Sequence, residues 1–305
     1  MSFRLRLLNR GLRGLAKPRL AKADDPVAAR RNFVRVARLF RMPPYVLHLV
    51  EDGRTALHWV SVRRRNPDWV VLYLHGGAYA TGSPVTHRAL MARIAKLTGL
   101  QVVAPVYRLA PEHPAPAAFE DAVAAHAMLI AKGYAADRII LGGDSAGGGL
   151  ALALLADICA KGQRPAGLFA FSPWTDLALG GDSLARNALA DVFLPVSRIG
   201  FTVDLVIGAL SDRDPRVSPL YAEFITPPPV LLQVGTTEIL LDDSRRMAEK
   251  LRQAGGAVIL SEWPDCPHVW QMADGYLPEA RAALVDVAEF VAELVSPLNL
   301  PASGN

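Results

Sequence analysis

Short, mostly apolar runs alternate with longer amphipathic stretches through most of this sequence. The longer stretches carry apolar residues at helical spacing, which predicts helices at 84–98, 117–132, 242–254 and 278–295. The short runs predict strands, and they lie at 69–74, 101–105, 138–141, 168–171, 229–234 and 257–261. The run at 69–74 is typical of a central strand buried on both faces of a sheet. Repeated strand–helix units predict an α/β fold with a mostly parallel sheet covered by helices on both faces.

Two segments depart from this alternation. Residues 1–44 read as two amphipathic helices that end at a pair of prolines, and residues 177–220 carry scattered apolar side chains between turns. An insertion that follows a strand lies at the carboxyl edge of the sheet, where sites in such folds form. We therefore expect both segments to form a helical cap over a core made of residues 45–176 and 221–300. The first part of this core is predicted to start with a β-hairpin.

The first 22 residues are basic and contain no acid; their cations are Arg4, Arg6, Arg10, Arg13, Lys17, Arg19 and Lys22. Such a segment suits contact with a membrane or nucleic acid, an organelle transit peptide, or a solvated helix face with leucines beneath it. The spacing of Leu5, Leu8, Leu12 and Leu15 favours a helix that packs on the protein.

Composition narrows the class of protein. Of the 305 residues, 51% are hydrophobic and 20% charged, so the chain can bury a large core. No apolar run approaches the length of a membrane span, and arginines interrupt every apolar run near the start, so we expect no signal peptide. The presence of only two cysteines, Cys159 and Cys266, predicts a cytoplasmic protein with no disulfide framework. The net charge of +4 is modest. We expect no stable membrane insertion and no nucleic-acid partner.

Candidate chemistry centres on Ser145. It lies in Gly-x-Ser-x-Gly between a predicted strand and a predicted helix, where a tight turn forces strained backbone angles and its neighbours must lack bulk. The turn would expose the hydroxyl at the start of the helix, beside the N–H group of Ala146. This arrangement is typical of a nucleophilic serine rather than of an incidental glycine-rich turn.

A second glycine stretch follows the central strand at 69–74. A tetrahedral intermediate needs several N–H donors, and a loop of small residues can supply them. We expect an oxyanion hole of Gly76, Gly77, Ala78 and Ala146, in which Gly76 mainly allows the turn. His75 is a candidate base by type, but we expect it to shape the loop.

A serine nucleophile needs a base and an orienting carboxylate, which follow it along the chain in such folds. His268 is the only histidine after Ser145, in the loop after the last predicted strand. The first carboxylate after the preceding strand is Glu238, and its rivals are Asp242, Asp243 and Asp265. We find no metal-ligand spacing among the remaining histidines.

Taken together, these motifs resemble the hormone-sensitive-lipase-like family of α/β-hydrolase esterases. The resemblance runs from Trp69 to His268 and rests on His75-Gly76-Gly77-Ala78, Gly143-Asp144-Ser145-Ala146-Gly147, Asp214-Pro215-Arg216-Val217-Ser218-Pro219 and Pro267-His268. Ala78 stands where the family usually has a third glycine, and Glu238 where it more often has aspartate.

The resemblance implies an α/β-hydrolase fold and a serine carboxylesterase that cleaves short- to medium-chain acyl esters without a cofactor or metal. Ser145, His268 and Glu238 would form its triad. A lactone hydrolase using the same triad and a non-catalytic small-molecule receptor are the alternatives. Four phenylalanines of the predicted cap are candidates for the acyl pocket: Phe33, Phe40, Phe193 and Phe201. The exposed last strand at 257–261 offers an edge for a homodimer.

Overall fold

The sheet has eight strands, and a computed structural model describes residues 1–53, 55–63 and 66–296. The strands are β1 (Val46–Glu51), β2 (Leu57–Val62), β3 (Val70–Leu74), β4 (Gln101–Pro105), β5 (Ile139–Asp144), β6 (Gly167–Phe171), β7 (Val230–Gly235) and β8 (Val258–Trp263). They lie in the order β1-β2-β4-β3-β5-β6-β7-β8. β1 and β2 form an antiparallel hairpin, β2 pairs antiparallel with β4, and all other pairs are parallel. The predicted fold class is confirmed.

Helices cover both faces of this sheet. The α-helices are α1 (Phe3–Gly11), α2 (Lys17–Ala21), α3 (Pro26–Ala37), α4 (Pro84–Thr98), α5 (Ala117–Ala131), α6 (Ala146–Ala160), α7 (Ser183–Arg186), α8 (Ile199–Ile207), α9 (Leu241–Gln253) and α10 (Pro278–Val295). Helices α5, α6 and α9 share one apolar cluster with the sheet. Helices α4 and α10 share another on the opposite face. Helix α6 is apolar on nearly every side and is buried almost throughout its length.

The amino-terminal helices lie on different parts of the molecule: α1 packs on the carboxyl-terminal part of the chain, and α3 contacts α4. A π-helical turn, Leu12–Ala16, joins α1 to α2. Leu5 is fully buried, and Leu8 packs in the same cluster as Trp270. Leu15 was expected on this inner face, but it is 60% exposed. A π turn accommodates one extra residue, which rotates the following side chains and turns Leu15 outward.

The segment 177–220 contains α7 and α8 among turns, in place of regular strand–helix units. Its first part is fastened to the loop after β7, and its residues Asn187 and Asp191 are buried there. The division of the chain into cap and core remains a prediction. The last residues of the predicted core, 297–300, lie outside the described residues. Across the ranges described, no helix combines the length and the apolar character needed to cross a membrane.

Candidate active site

Ser145 lies at the turn between β5 and α6. Its backbone has φ 53° and ψ −126°, a left-handed conformation that side chains rarely adopt. Hydrogen bonds fix this turn: the Ser145 N–H donates to the carbonyl of Phe171 (2.8 Å), and the Trp174 N–H donates to the carbonyl of Ser145 (3.0 Å). The strain predicted for the turn is therefore present, and neighbouring elements hold it in place.

The glycines around Ser145 are required by close packing. A Cβ atom on Gly147 would lie 2.2 Å from the carbonyl oxygen of Leu74 and 2.3 Å from that of His75. Because real Cβ atoms do not approach backbone this closely, only glycine lets α6 begin against the end of β3. The turn that bears Ser145 and the loop that begins at His75 are thus in direct contact.

His268 lies in the loop after β8 and connects the serine to an acid. Its Nε2 atom is 2.8 Å from Ser145 Oγ, and its Nδ1 atom is 2.7 Å from Glu238 Oε2. The ring of Phe193, from the segment 177–220, stacks nearly parallel to the imidazole, with 6.2 Å between ring centroids. The structure thus brings together the three side chains that the sequence selected.

Glu238 is fully enclosed just after β7. While Oε2 faces His268, Oε1 accepts hydrogen bonds from the Ser172 hydroxyl (2.7 Å) and the Gly235 N–H (2.6 Å). These two donors hold the buried carboxylate in one orientation. Ser172 was not selected from the sequence, because it follows β6 and meets Glu238 only through the pairing of β6 with β7.

The rival carboxylates point elsewhere. Asp242 accepts hydrogen bonds from the Ser183 N–H and from Arg186, and Asp243 accepts from the backbone of Thr175 and Asp176. Asp265 is exposed at the turn after β8. Among the four candidates, Glu238 alone contacts the imidazole.

Opposing influences act on the pKa of His268. Burial alone would lower the pKa, because it disfavours the charged imidazolium. The hydrogen bond that His268 donates to Glu238 and the charge of Glu238 act in the other direction, with help from the charges of Asp191 and Asp144, and together they raise the pKa above its ordinary value. The imidazolium that forms when the serine loses its proton is thereby stabilised.

The loop after β3 is fastened by Asp144. Asp144 Oδ1 accepts hydrogen bonds from the Gly76 N–H (3.0 Å) and the Tyr73 hydroxyl (2.8 Å), and Oδ2 lies 3.3 Å from His87 Nε2. The N–H of Gly76 is therefore engaged, so Gly76 offers no donor to an oxyanion. A Cβ atom on Gly76 would lie 2.1 Å from Asp144 Oδ2, which explains why glycine is needed there.

The other members of the expected oxyanion hole keep their donors. Gly77 and Ala78 both have positive φ, 123° and 55°, so the chain turns sharply here. Within the described ranges, neither their N–H groups nor that of Ala146 donates to a protein acceptor. Ala146 is the first residue of α6, where N–H groups have no partner in the helix. Three backbone donors thus remain available beside Ser145.

His75 is a structural residue, as expected. It is buried, its Nδ1 atom lies 2.9 Å from the carbonyl oxygen of Gly76, and its ring stacks on Tyr107 with 4.1 Å between centroids. Burial lowers the pKa of His75 to about 3, so this imidazole stays neutral.

The four cap phenylalanines are in different surroundings. Only Phe193 packs on His268, whereas Phe33 meets His87 edge-on and Phe201 is half-exposed beneath the guanidinium of Arg198. Phe40 is half-buried near the end of α3. Of these four phenylalanines, Phe193 is therefore the best placed to contact a substrate.

Two buried side chains fasten the segment that bears Phe193 to the loop after β7, which carries Glu238. Asp191 Oδ2 accepts from the Ile239 N–H (3.0 Å), and its Oδ1 accepts from the N–H groups of Phe193 and Leu194. Asn187 Nδ2 donates to the carbonyl of Glu238 (2.8 Å). No sequence signal marked these residues, since their partners are about fifty residues away.

Known proteins provide an independent comparison. A family model for the alpha/beta hydrolase fold matches residues 71–272. An acetyl-hydrolase of Streptomyces hygroscopicus is 38% identical over 80% of this chain and 81% of its own. An esterase of Acinetobacter venetianus is 39% identical over 74% and 75%. A crystal structure of an esterase from the bacterial hormone-sensitive lipase family superposes with a TM-score of 0.91 at 35% identity, covering 97% of this chain and 99% of the other.

Proposed function

This chain belongs to the hormone-sensitive-lipase-like esterases of the α/β-hydrolase family, and on that premise we propose that it hydrolyses short- to medium-chain acyl esters through Ser145, His268 and Glu238. That it is a carboxylic ester hydrolase follows from its relatives. The assignment of the residues rests on one observation, the continuous hydrogen-bonded series from Ser145 Oγ through both nitrogens of His268 to Glu238.

The proposed reaction has two acyl-transfer steps. His268 Nε2 takes the proton of Ser145 as Oγ forms a bond to the ester carbonyl carbon, and Glu238 stabilises the resulting imidazolium. The imidazolium then protonates the alkoxide as it leaves, and an acyl-enzyme remains. Water, deprotonated by His268, attacks the acyl carbon, and Ser145 regains its proton as the carboxylic acid departs.

The oxyanion of each tetrahedral intermediate would be held by the N–H groups of Gly77, Ala78 and Ala146. These donors belong to a rigid turn and a helix start, so they need no reorganisation as charge develops on the oxygen. Loss of a single donor in such a site typically costs about 3 kcal/mol of transition-state stabilisation.

Two observations support a preference for small acyl groups. The ring of Phe193 lies against His268 and limits the space on that side of the nucleophile. The similar protein of Streptomyces hygroscopicus is named an acetyl-hydrolase, and one of Pseudomonas putida, 33% identical over 72% of this chain, an ethyl acetate hydrolase.

The test is hydrolysis of p-nitrophenyl acetate, butyrate, octanoate and laurate, together with a γ-lactone, by the wild type and by Ser145→Ala. We expect turnover to be greatest among the shorter esters. The substitution should lower kcat by on the order of 10⁵-fold or more. An unchanged rate in Ser145→Ala would refute the assignment, and a preference for the lactone would favour the lactone-hydrolase alternative.

A further inference from the structure

The helical segment 3–21, formed by α1, the π turn and α2, has an inner and an outer face. The inner face packs on the core through Leu5 and Leu8. The outer face carries large apolar side chains that nothing covers: Phe3 is 70% exposed, Leu7 61% and Leu15 60%. We call this outer face, with the cations described below, the basic apolar face.

The π turn extends the basic apolar face along the helix. With ordinary helical spacing, Leu15 would follow Leu8 and Leu12 toward the core. The π turn at Leu12–Ala16 turns it away from the core instead, so its side chain is exposed like those of Phe3 and Leu7. Exposing three large apolar residues on one side of a helix is costly in water, so this alignment calls for a binding partner.

Some cations of the segment face the protein, and others face the solvent. Arg4, Arg13 and Lys17 turn toward the protein and donate hydrogen bonds to backbone carbonyls. Arg6 and Arg10 lie one turn from Phe3 and Leu7, are exposed, and form no ion pair within the ranges described. No acidic residue occurs before Asp24 to balance them.

We propose that the basic apolar face docks this esterase on an anionic lipid surface. Apolar side chains would enter the boundary between head groups and acyl chains, while the flanking arginines pair with lipid phosphates. Nucleic acid would match the arginines but leave the apolar side chains in water. A second copy of this face would set arginines against arginines.

The docked orientation would bring the active site close to the lipid. The same segment contacts the peptide around Asp191 through Lys17, whose Nζ donates to the Asp191 carbonyl (2.7 Å), and Phe193 follows two residues later against His268. Esters dissolved in the bilayer would therefore lie near the mouth of the site. This inference goes beyond the proposed function and does not depend on which residues catalyse the reaction.

Vesicle sedimentation tests the proposal with the full chain. Wild type is mixed with sucrose-loaded vesicles of phosphatidylcholine alone, or of equal parts phosphatidylcholine and phosphatidylglycerol. We expect binding to the anionic vesicles that weakens as salt is added. We expect two variants to bind the anionic vesicles at least about ten-fold more weakly than the wild type. They are the triple variant Phe3→Ser/Leu7→Ser/Leu15→Ser and the double variant Arg6→Gln/Arg10→Gln.

Matched controls change equally exposed residues elsewhere. Leu47→Ser/Leu49→Ser alters two half-exposed leucines on β1, at the far edge of the sheet, and Lys96→Gln/Lys161→Gln removes two charges near the ends of α4 and α6. Both should bind anionic vesicles like the wild type, and all variants should keep the wild-type circular dichroism spectrum.

Three results would overturn the proposal. The first is sedimentation of the wild type with neither kind of vesicle, and the second is equal binding by the wild type and the triple variant. The third is that substitutions on the basic apolar face abolish self-association in analytical ultracentrifugation, or binding to DNA, and leave vesicle binding unchanged. Because sedimentation reports binding alone, its outcome is separate from that of the ester assays.

Discussion

Glu238 uses its two carboxylate oxygens for different purposes. One oxygen faces the imidazole, and the other is held by the Ser172 hydroxyl and the Gly235 N–H. One oxygen thus holds the carboxylate in place, and the other binds the imidazole. Its charge, acting against burial, raises the pKa of His268, so the pH dependence of hydrolysis should report on Glu238.

Glu238→Gln should lower kcat by about 10³–10⁴-fold. An amide in this position would present a donor to His268 Nδ1 and so favour the tautomer whose Nε2 already carries a proton. Only a neutral imidazole with a free Nε2 accepts the serine proton, so activity is lost as pH falls through the pKa of His268. Without the carboxylate that pKa falls, and the acidic limb of the kcat/KM profile should move to lower pH.

Asp242→Asn is the matched control, because Asp242 is four residues away and binds the Ser183 N–H and Arg186 instead. Its kcat and pH profile should stay within about two-fold of the wild type. If Asp242→Asn lost activity as Glu238→Gln is expected to, Asp242 would be the better candidate for the acid.

Some side chains of the site could be predicted from the sequence, and others could not. Ser145 and His268 could be selected because each follows a strand in a fixed order along the chain. Glu238 could be selected by the same rule, with three neighbouring aspartates left open. Ser172 and Asp191 could not, since they reach Glu238 and Ile239 only after β6, β7 and the segment 177–220 are assembled in space.

At the scale of elements, the segment 183–194 is fastened to the loop after β7. The buried Asp191 carboxylate accepts from the Ile239 N–H of that loop and from two N–H groups of the segment itself, and Asn187 Nδ2 donates to the carbonyls of Thr236 and Glu238. The same residue contributes charge that raises the pKa of His268. An element far from the nucleophile in sequence thus positions both Phe193 and the residue next to Glu238.

Asp191→Asn should reduce kcat/KM by about 10- to 100-fold. The amide replaces one acceptor with a donor that faces an N–H group, so one attachment is lost. The acidic limb should also move to lower pH, by less than in Glu238→Gln, because Asp191 acts on His268 only through its charge. Steady-state kinetics across pH measures both effects.

Asp182→Asn controls for the loss of an acid in the same segment, since the Asp182 side chain is exposed and makes no capping hydrogen bond. It should leave the rates and the pH profile unchanged. An Asp191→Asn variant with a wild-type pH profile would contradict the proposed influence on His268.

Asp243 links α9 to the loop after β6 and should make stability depend on pH. Burial raises its pKa to about 7, although its hydrogen bonds from Thr175 and Asp176 act in the opposite direction. A carboxyl with a raised pKa in the folded state stabilises the protein at low pH, and this stabilisation is lost as pH rises from about 4 to about 7. Asp243→Asn should flatten that dependence.

Urea unfolding at several pH values measures this difference. Between pH 4 and pH 7, the free energy of unfolding of the wild type should fall relative to that of Asp243→Asn, by at most about 1.4 kcal/mol per pH unit. Parallel pH curves for the two proteins would show that Asp243 does not titrate as its burial requires.

The elements themselves were largely predictable. The strands and the main helices follow the apolar pattern, and α4 and α10 begin and end where the sequence predicted. The π turn was not predictable from a spacing rule that assumes a regular helix. The same rule therefore placed Leu15 on the wrong face.

At the scale of the whole molecule, the sheet ends in two exposed edges. Strand β8 forms one edge, where Ile259 is half-exposed, and β1 forms the other, where Leu49 is half-exposed. An open edge offers unpaired backbone groups to another chain. A homodimer across β8, as the sequence suggested, remains a prediction.

Ile259→Lys should dissociate such a dimer, because a lysine at the edge must be desolvated for the strands to pair. Light scattering after gel filtration would give a dimer mass for the wild type and a monomer mass for the variant. Leu49→Lys, on the opposite edge, should keep the wild-type mass. A monomeric wild type at high concentration would refute the β8 dimer.

The segment 183–194 is attached to the loop that carries Glu238, and this attachment limits how the segment 177–220 could be exchanged between relatives. A graft that replaced the whole insertion 177–220 would remove Asn187 and Asp191, and with them the contacts that hold the peptide around Glu238. A crossover placed after Leu194 would keep these contacts and exchange only the part that contains α8. In recombination the natural unit is therefore smaller than the segment 177–220, and residues 177–194 belong with the loop after β7.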